Sequence, residues 1–315
     1  MRVDLLGSST FILPTAQRLF DEGMKIRCIT TIPPSSHRSR AREPQPLKEF
    51  ALKHHLPIEY LRTSKALKTC YEHTTDRPDA AIVAAFGLLI PSSLLAIPRL
   101  GFLNIHPSLL PLLRGPSPIQ SALFYGDRAT GVTIILMDDE MDHGPILAQQ
   151  TTTIVAEDDF STLHERLAHI GARLMIKTLA LYNQGALAPT PQQHDQATYT
   201  KKITRNDGRI DWNAPAGTIV RQSRAYNPWP GVWTATKHNQ KELRLKLFAP
   251  IPLEPSPHPE ADPGSVIAAN QDGIIVQCGE SSAVLWKALQ REGGQRISPY
   301  QFLLGAPWIR SARFR

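Results

Sequence analysis

Groups that could exchange a proton or stabilise an anion follow one another in the stretch NIHPSLLPLLRG. Asn104, His106 and Ser108 alternate, so in an extended strand their side chains would lie on one face. An imidazole can exchange a proton near neutral pH, and an amide can donate a hydrogen bond to a developing oxyanion. The two prolines of the stretch would turn the chain into a stiff loop. We therefore expect a reactive site where this strand ends.

An acidic segment supplies a carboxylate for the same site. The run TGVTIILM, which ends in DDEMDHGPIL, is interpreted as the next strand of the sheet. Ligands of such sheets bind beyond the carboxyl ends of the strands, and this would bring Asp142 to His106. A carboxylate that orients an imidazole beside an amide donor can support acyl transfer. Because no nucleophile elbow accompanies these residues, direct transfer to an external amine is favoured over a covalent acyl-enzyme.

Each of these residues has an ordinary structural explanation when taken alone. His106 could be a hydrogen-bonded core residue, Asn104 could cap a strand end, and the acids around Asp142 could form a solvated turn. The occurrence of all three residues together favours a reactive site. The three cysteines are far apart and form no CxxC pair, so the sequence predicts neither a disulfide framework nor a metal site.

The chain of 315 residues divides into two parts with different hydrophobic patterns. The first part alternates short apolar runs with amphipathic stretches, a pattern typical of a doubly wound parallel sheet with helices on both faces. A polar, proline-containing segment follows, and then come short β-like segments that fit a small barrel of the oligonucleotide-binding (OB) type. We predict an α/β catalytic domain at 1–188, a linker at 189–204 and a β-barrel domain at 205–315.

The net charge of +7 lies entirely in the second part of the chain. Basic and acidic residues balance up to residue 200, so the whole excess belongs to 201–315. A polyanionic partner would explain this asymmetry, and so would a basic surface that only aids solubility. The apolar runs are too short and too broken by Gly and Pro to span a bilayer, and the N-terminus resembles a first strand more than a signal peptide. We expect a cytoplasmic protein.

Several motifs together resemble the folate-dependent formyltransferases. They are NIHPSLLP, the segment RGPSPIQSALFYGDRATGVTIILMDDEMDHGPIL, AAFGLLIP, KKITRNDGRIDW and SRAYNPWPGVWT. The last two are absent from single-domain members of the family. The resemblance implies a Rossmann-like domain joined to an OB-type barrel. It also implies transfer of a formyl group from 10-formyltetrahydrofolate to the amino group of methionine on initiator tRNA, without a metal.

The resemblance also implies roles for particular residues. Asn104 and a protonated His106 would stabilise the oxyanion, while Asp142 would hold His106 and help to shuttle protons. The residues expected against the folate are Ser108, Leu109, Leu110, Pro111, Phe86, Gly87, Leu88 and Ile90. The residues expected to contact tRNA phosphates are Arg38, Arg40, Arg42, Lys201, Lys202, Arg205, Arg221 and Arg224.

Other functions stay open from the sequence. A formyltetrahydrofolate hydrolase would use the same three catalytic residues with water as the acceptor. A formyltransferase that acts on a small acceptor, such as a sugar nucleotide, would share the catalytic strand. An RNA-binding protein with an inert catalytic domain is the alternative without an enzymatic function. We expect a monomer, because tRNA would occupy much of the surface.

Overall fold

A computed structural model describes residues 1–33 and 46–315. This part of the chain forms two compact units. The first consists of Met1–Ile119, Arg128–Ile154 and Thr162–Lys201, within the described residues. The second consists of Gln120–Asp127, Val155–Ser161 and Lys202–Arg315. Two short segments that precede residue 188 therefore belong to the second unit.

The first unit is built on a seven-stranded sheet. Its strands are β1 (Arg2–Gly7), β2 (Lys25–Thr31), β3 (Ile58–Tyr60), β4 (Ala80–Ala84), β5 (Phe102–His106), β6 (Ala129–Leu136) and β7 (Ile146–Thr153). The strand order is β3-β2-β1-β4-β5-β6-β7. Among the described residues up to 183, the α-helices are α1 (Leu13–Asp21), α2 (Pro46–Lys53), α3 (Ser64–Glu72), α4 (Pro118–Tyr125) and α5 (Phe160–Asn183).

Burial explains why the central strands form. All five residues of β4 are buried, as are Val3, Leu5 and Leu6 of β1. Near-continuous apolar runs are typical of parallel strands that are covered on both faces, because neither side of the sheet meets water. Pairing from β3 to β5 is parallel. The predicted Rossmann-like, doubly wound sheet is confirmed.

The last two strands correct the expectation of an all-parallel sheet. β6 is antiparallel to both β5 and β7, with Thr133 opposite His106 and Leu136 opposite Leu103. The chain after β5 stays at the carboxyl end of that strand, where the Ser108 carbonyl accepts a hydrogen bond from Thr133 Oγ1 at 2.7 Å. If β6 were parallel to β5, the chain would first have to cross back to the amino end of β5. β6 therefore ends beside the beginning of β5.

The second unit contains the basic part of the chain. Its remaining elements are α6 (Ala216–Tyr226), β8 (Trp233–His238), β9 (Lys241–Leu253), β10 (Val266–Asn270), β11 (Gly273–Gln277), β12 (Ala283–Arg291), β13 (Arg296–Ile297) and α7 (Pro299–Gly305). The strands pair antiparallel in the order β10-β11-β12-β9-β8, and β13 pairs with β12. The core includes Trp212, Trp286, Phe302 and Phe314.

The end of the chain joins the two outer strands of this sheet. Arg315 exchanges backbone hydrogen bonds with Ala235 of β8. Phe314 donates to the Gly264 carbonyl, and Val266 of β10 donates to the Ala312 carbonyl. The final residues thus act as an additional short strand that curls the antiparallel sheet into a barrel-like form.

The residues expected to form a linker pair with the first unit up to residue 201. Ile146 and Thr190 exchange backbone hydrogen bonds, with N···O distances of 2.7 and 2.8 Å. Further along, Arg114 donates to the Thr198 carbonyl at 2.9 Å and accepts from the Thr200 amide at 2.7 Å. This segment is held against the first unit by regular backbone pairing.

Candidate active site

The end of β5 presents two of the predicted reactive side chains together. Asn104 and His106 both reach Asp142, so the alternation along the strand operates as expected. Ser108 lies beyond the end of β5 at His106, so the alternation of the strand does not extend to it. Pro107 has no amide hydrogen to continue the ladder. The Ser108 hydroxyl is buried and donates to the Leu112 carbonyl at 2.6 Å.

Asp142 is the centre of the site. Its Oδ1 accepts from Asn104 Nδ2 at 3.2 Å and lies 3.4 Å from His106 Nδ1. Its Oδ2 accepts from the Gly115 amide at 2.8 Å. The side chains of His106 and Asp142 are only 5% and 13% exposed, so water screens their interaction weakly. The structure therefore brings all three predicted catalytic residues together.

The imidazole of His106 lies between two acceptor oxygens. Besides the Asp142 carboxylate at Nδ1, the Leu113 carbonyl lies 3.0 Å from Nε2. A carbonyl only accepts, and an ionised carboxylate only accepts. Each ring nitrogen of His106 therefore faces an oxygen to which it can donate a hydrogen bond when it carries a proton.

Asp142 reaches the site through a tight loop that runs back from β6. Asp142 itself has φ +53°, in the left-handed region that Asp tolerates better than most residues. Two residues later, a side chain at Gly144 would place Cβ 1.9 Å from the Leu136 carbonyl oxygen. Only glycine permits this close approach of two backbone segments. The loop therefore compensates for the antiparallel direction of β6.

The loop after β5 is pinned by two polar side chains that sequence reasoning did not select. Thr133 Oγ1 accepts from the Leu110 amide at 3.1 Å. Gln149 Nε2 donates to the Leu110 carbonyl at 2.8 Å and to Thr133 Oγ1 at 2.9 Å. Leu109 and Pro111 are partly buried, whereas Leu110 is buried. The four residues Ser108 to Pro111 thus form a fixed turn beside the site.

The second predicted folate segment follows β4. Phe86 and Ile90 are 3% and 5% exposed and belong to the hydrophobic core, so their side chains are not free to line a pocket. Gly87 has φ +76° and Leu88 is partly buried. The Phe86 carbonyl accepts from Ser8 Oγ at 3.3 Å. Any contact of this segment with a ligand would therefore come mainly from its backbone.

Arg114 and Gln192 form a buried polar cluster that sequence reasoning missed. They are 1% and 6% exposed. The Arg114 guanidinium donates to Gln192 Oε1 from Nε at 3.2 Å and from Nη2 at 2.7 Å. Arg114 Nη2 also lies 2.9 Å from His194 Nδ1, and Nη1 donates to the Tyr199 hydroxyl at 3.3 Å. The only sequence signal was an arginine directly after the apolar run of the loop.

The second histidine near Asp142 is engaged elsewhere. His143 Nδ1 lies 2.6 Å from Asp138 Oδ2, and its ring stacks on His194 with centroids 3.9 Å apart.

Among the described residues, no group of three or more His, Cys, Asp or Glu side chains could hold a metal ion. No helix in the described ranges is long and apolar enough to cross a bilayer.

The predicted tRNA contacts fall into three groups. Arg38, Arg40 and Arg42 lie outside the described residues. Lys201, Lys202 and Arg205 are exposed. Arg221 and Arg224 bind the backbone within the second unit. Arg221 Nε donates to the Phe124 carbonyl at 3.2 Å, and Arg224 donates to the carbonyls of Asp158 at 2.5 Å and Val155 at 2.8 Å.

Two family models cover most of the chain. The model described as Formyl transferase matches residues 1–179, and the model described as Formyl transferase, C-terminal domain, matches residues 202–307. The fold and the Asn104–His106–Asp142 cluster agree with a group-transfer enzyme of this kind. The chain belongs to the formyl transferase family.

Two curated relatives that match nearly the whole chain carry the same name. A methionyl-tRNA formyltransferase of Gluconobacter oxydans is 38% identical over 317 residues, which cover 99% of each chain. A protein of the same name from Roseiflexus castenholzii is 37% identical over 315 residues, covering 99% of this chain and 96% of the relative.

Solved structures with low sequence identity share the fold. HypX from Aquifex aeolicus in complex with tetrahydrofolic acid has a TM-score of 0.63 at 20% identity. The alignment covers 96% of this chain but 47% of HypX, so the chain spans about half the length of that protein. An N-formyltransferase from Helicobacter canadensis, in complex with folinic acid and dTDP-3-aminofucose, has a TM-score of 0.64 at 15% identity, covering 94% and 99%.

Proposed function

We propose that this enzyme transfers the formyl group of 10-formyltetrahydrofolate to the free amino group of methionine on initiator tRNA. The observation that carries the proposal is the arrangement of Asn104 and His106 around the Asp142 carboxylate. Full-length relatives named methionyl-tRNA formyltransferase support the same reaction. The reaction would serve translation initiation, so the proposal includes a cytoplasmic location.

The three residues have distinct roles in this reaction. The folate supplies the formyl group, and the methionine amine attacks its carbon while the bond from that carbon to the folate nitrogen breaks. Asn104 Nδ2 carries a second hydrogen that is available for the oxyanion, since its hydrogen bond to Asp142 uses one. His106 donates from Nε2 by exchanging the Leu113 carbonyl for the oxyanion. Asp142 holds the imidazole and helps to move the amine proton to the folate nitrogen through water.

Two loops beside the site are suited to a folate. The turn from Ser108 to Pro111 and the segment from Phe86 to Ile90 follow β5 and β4, which are neighbours in the sheet. Their side chains are mostly apolar or packed in the core, so their backbone groups and apolar surfaces would contact the flat pterin ring. Such a site needs few charged groups, in keeping with ligand pockets in general.

The basic second unit provides a reason for tRNA as the carrier of the amine. Lysine and arginine bind phosphates without reading sequence and would hold a large substrate far from its reacting amine. Lys202 and Arg205, near the start of this unit, are exposed, and so is Lys201, the last residue of the first unit. Arg38, Arg40 and Arg42 belong to the proposal on sequence alone. We propose that the protein acts on tRNA as a monomer.

A transfer assay tests the proposal. The protein is given 10-formyltetrahydrofolate with initiator Met-tRNA, elongator Met-tRNA or free methionine, while formylated product and tetrahydrofolate are both measured. We expect formylation of initiator Met-tRNA only. Release of tetrahydrofolate without formylated tRNA would show a hydrolase or a small acceptor instead. Binding of tRNA without release of tetrahydrofolate would favour an RNA-binding protein.

A further inference from the structure

Gln192 uses its whole hydrogen-bonding capacity beside Asp142. Its Nε2 donates to the backbone carbonyl of Asp142 at 2.9 Å and to that of Gly144 at 2.7 Å. Its Oε1 accepts two hydrogen bonds from the Arg114 guanidinium, one from Nε and one from Nη2. An amide side chain has two donor hydrogens and one acceptor oxygen with two lone pairs, so none is left unused.

The two donated bonds fix the part of the loop that sets the Asp142 carboxylate. Asp142 has a left-handed backbone conformation, which a non-glycine residue adopts only when its surroundings hold it there. Gln192 holds the carbonyl of Asp142 and the carbonyl two residues later. Rotation of either peptide plane would break one of these hydrogen bonds, of which the bond to Gly144 is buried and the bond to Asp142 is partly buried. The carboxylate direction toward His106 therefore depends on Gln192.

The hydrogen bonds that Gln192 accepts connect it to the loop after β5, which forms the other side of the site. Arg114 stands between Leu113, whose carbonyl faces His106, and Gly115, whose amide donates to Asp142. Gln192 and Arg114 thus join the two loops that contact His106 from either side. Backbone pairing of Arg114 with Thr198 and Thr200 holds the same segment in place.

We propose that Gln192 is a positioning residue that sets the Asp142 carboxylate, and through it His106, for formyl transfer. This inference rests on the proposed function for its kinetic test. Gln192 touches no reacting atom itself. Only an amide of this length meets the demands of the position, because the site needs a donor for two carbonyls and an acceptor for a guanidinium.

The variant Gln192→Glu isolates the donor function. A carboxylate would keep the contact with Arg114, so the buried guanidinium stays paired, but it cannot donate to the two carbonyls. We expect kcat to fall by about 100-fold, as for a misplacement of roughly 1 Å in an active site. KM for the folate and for Met-tRNA should stay within about threefold. Gln193→Glu is the matched control, because the neighbouring glutamine is exposed.

A crystal structure of Gln192→Glu provides a readout that does not depend on activity. We expect the Asp142 carboxylate to leave the Gly115 amide and to move away from His106 Nδ1. If the variant fails to fold, Gln192→Asn, which keeps the amide but is shorter by one methylene group, is expected to lower kcat in the same way. Unchanged kcat, an effect on KM alone or an unmoved carboxylate would overturn the inference. Absence of formylation by the unmodified enzyme would instead refute the proposed function, while the position of Asp142 still tests the role of Gln192.

Discussion

Asp142 Oδ1 lies 3.4 Å from His106 Nδ1 although the strand before Asp142 ends beside the start of the strand that carries His106. The intervening loop runs back along the sheet and is closed by Gly144. The pair is therefore assembled by a loop and its supports, and not by two neighbouring strand ends.

Asp142→Asn is expected to lower kcat by about 100-fold, within the range for a group engaged in proton transfer. The asparagine amide has nearly the same shape as the carboxylate, but its nitrogen is a donor. That nitrogen would face another donor, either the Gly115 amide or Asn104 Nδ2. Single-turnover formylation measures the effect. Asp139→Asn is the control, because Asp139 is exposed on the same loop. Equal rates for the two variants would contradict the central role of Asp142.

His106→Ala is expected to reduce formyl transfer by about 10²- to 10⁴-fold while leaving the Kd for tRNA unchanged within twofold. The imidazole is buried in the first unit and contacts Asp142 and the Leu113 carbonyl. Transfer is measured with saturating folate, and binding is measured by filter retention of Met-tRNA. His73→Ala, at an exposed position, should change neither. A joint loss of activity and tRNA binding would argue against separate catalytic and binding surfaces.

Arg224→Gln and Lys202→Gln are expected to separate a structural role from a tRNA-binding role. Loss of the Arg224 hydrogen bonds to the carbonyls of Val155 and Asp158 should lower the free energy of unfolding by about 1.5–3 kcal/mol. Lys202→Gln should leave stability unchanged but weaken tRNA binding and reduce its salt dependence by about one ion. Urea titration and binding at several salt concentrations measure the two effects. Weaker tRNA binding by Arg224→Gln at full stability would instead support the sequence-based assignment of Arg224 to tRNA.

The thiol of Cys278 is expected to make stability fall in alkaline solution. Burial raises the pKa of Cys278 from an ordinary 9.0 to about 12. The native state therefore favours the protonated thiol. The resulting contribution to the free energy of unfolding is complete below pH 9 and is lost as the pH rises through about 12. The loss should approach about 1.4 kcal/mol per pH unit above pH 9. Urea unfolding of the unmodified protein and of Cys278→Ser between pH 8 and 10.5 measures it, and a constant difference between the two would contradict it.

The sequence was sufficient for the features that depend on local periodicity. Apolar runs that alternate with amphipathic stretches predicted the Rossmann-like sheet, and short segments separated by turn residues predicted the antiparallel barrel-like domain. The two-residue repeat of a strand likewise placed Asn104 and His106 on one face. These features follow from the geometry of single elements, so a linear pattern is enough to predict them.

The features that depend on how elements meet were decided by the tertiary structure alone. The direction of β6 is not encoded in its own apolar pattern, because this antiparallel strand is buried from residue 130 to 135 just as the parallel strands of the sheet are. Gln192 is separated from Asp142 by 50 residues and contacts it only because the segment after α5 packs on the first unit. Whether an arginine faces solvent, like Arg205, or binds backbone carbonyls, like Arg224, depends in the same way on neighbours that are distant in the chain.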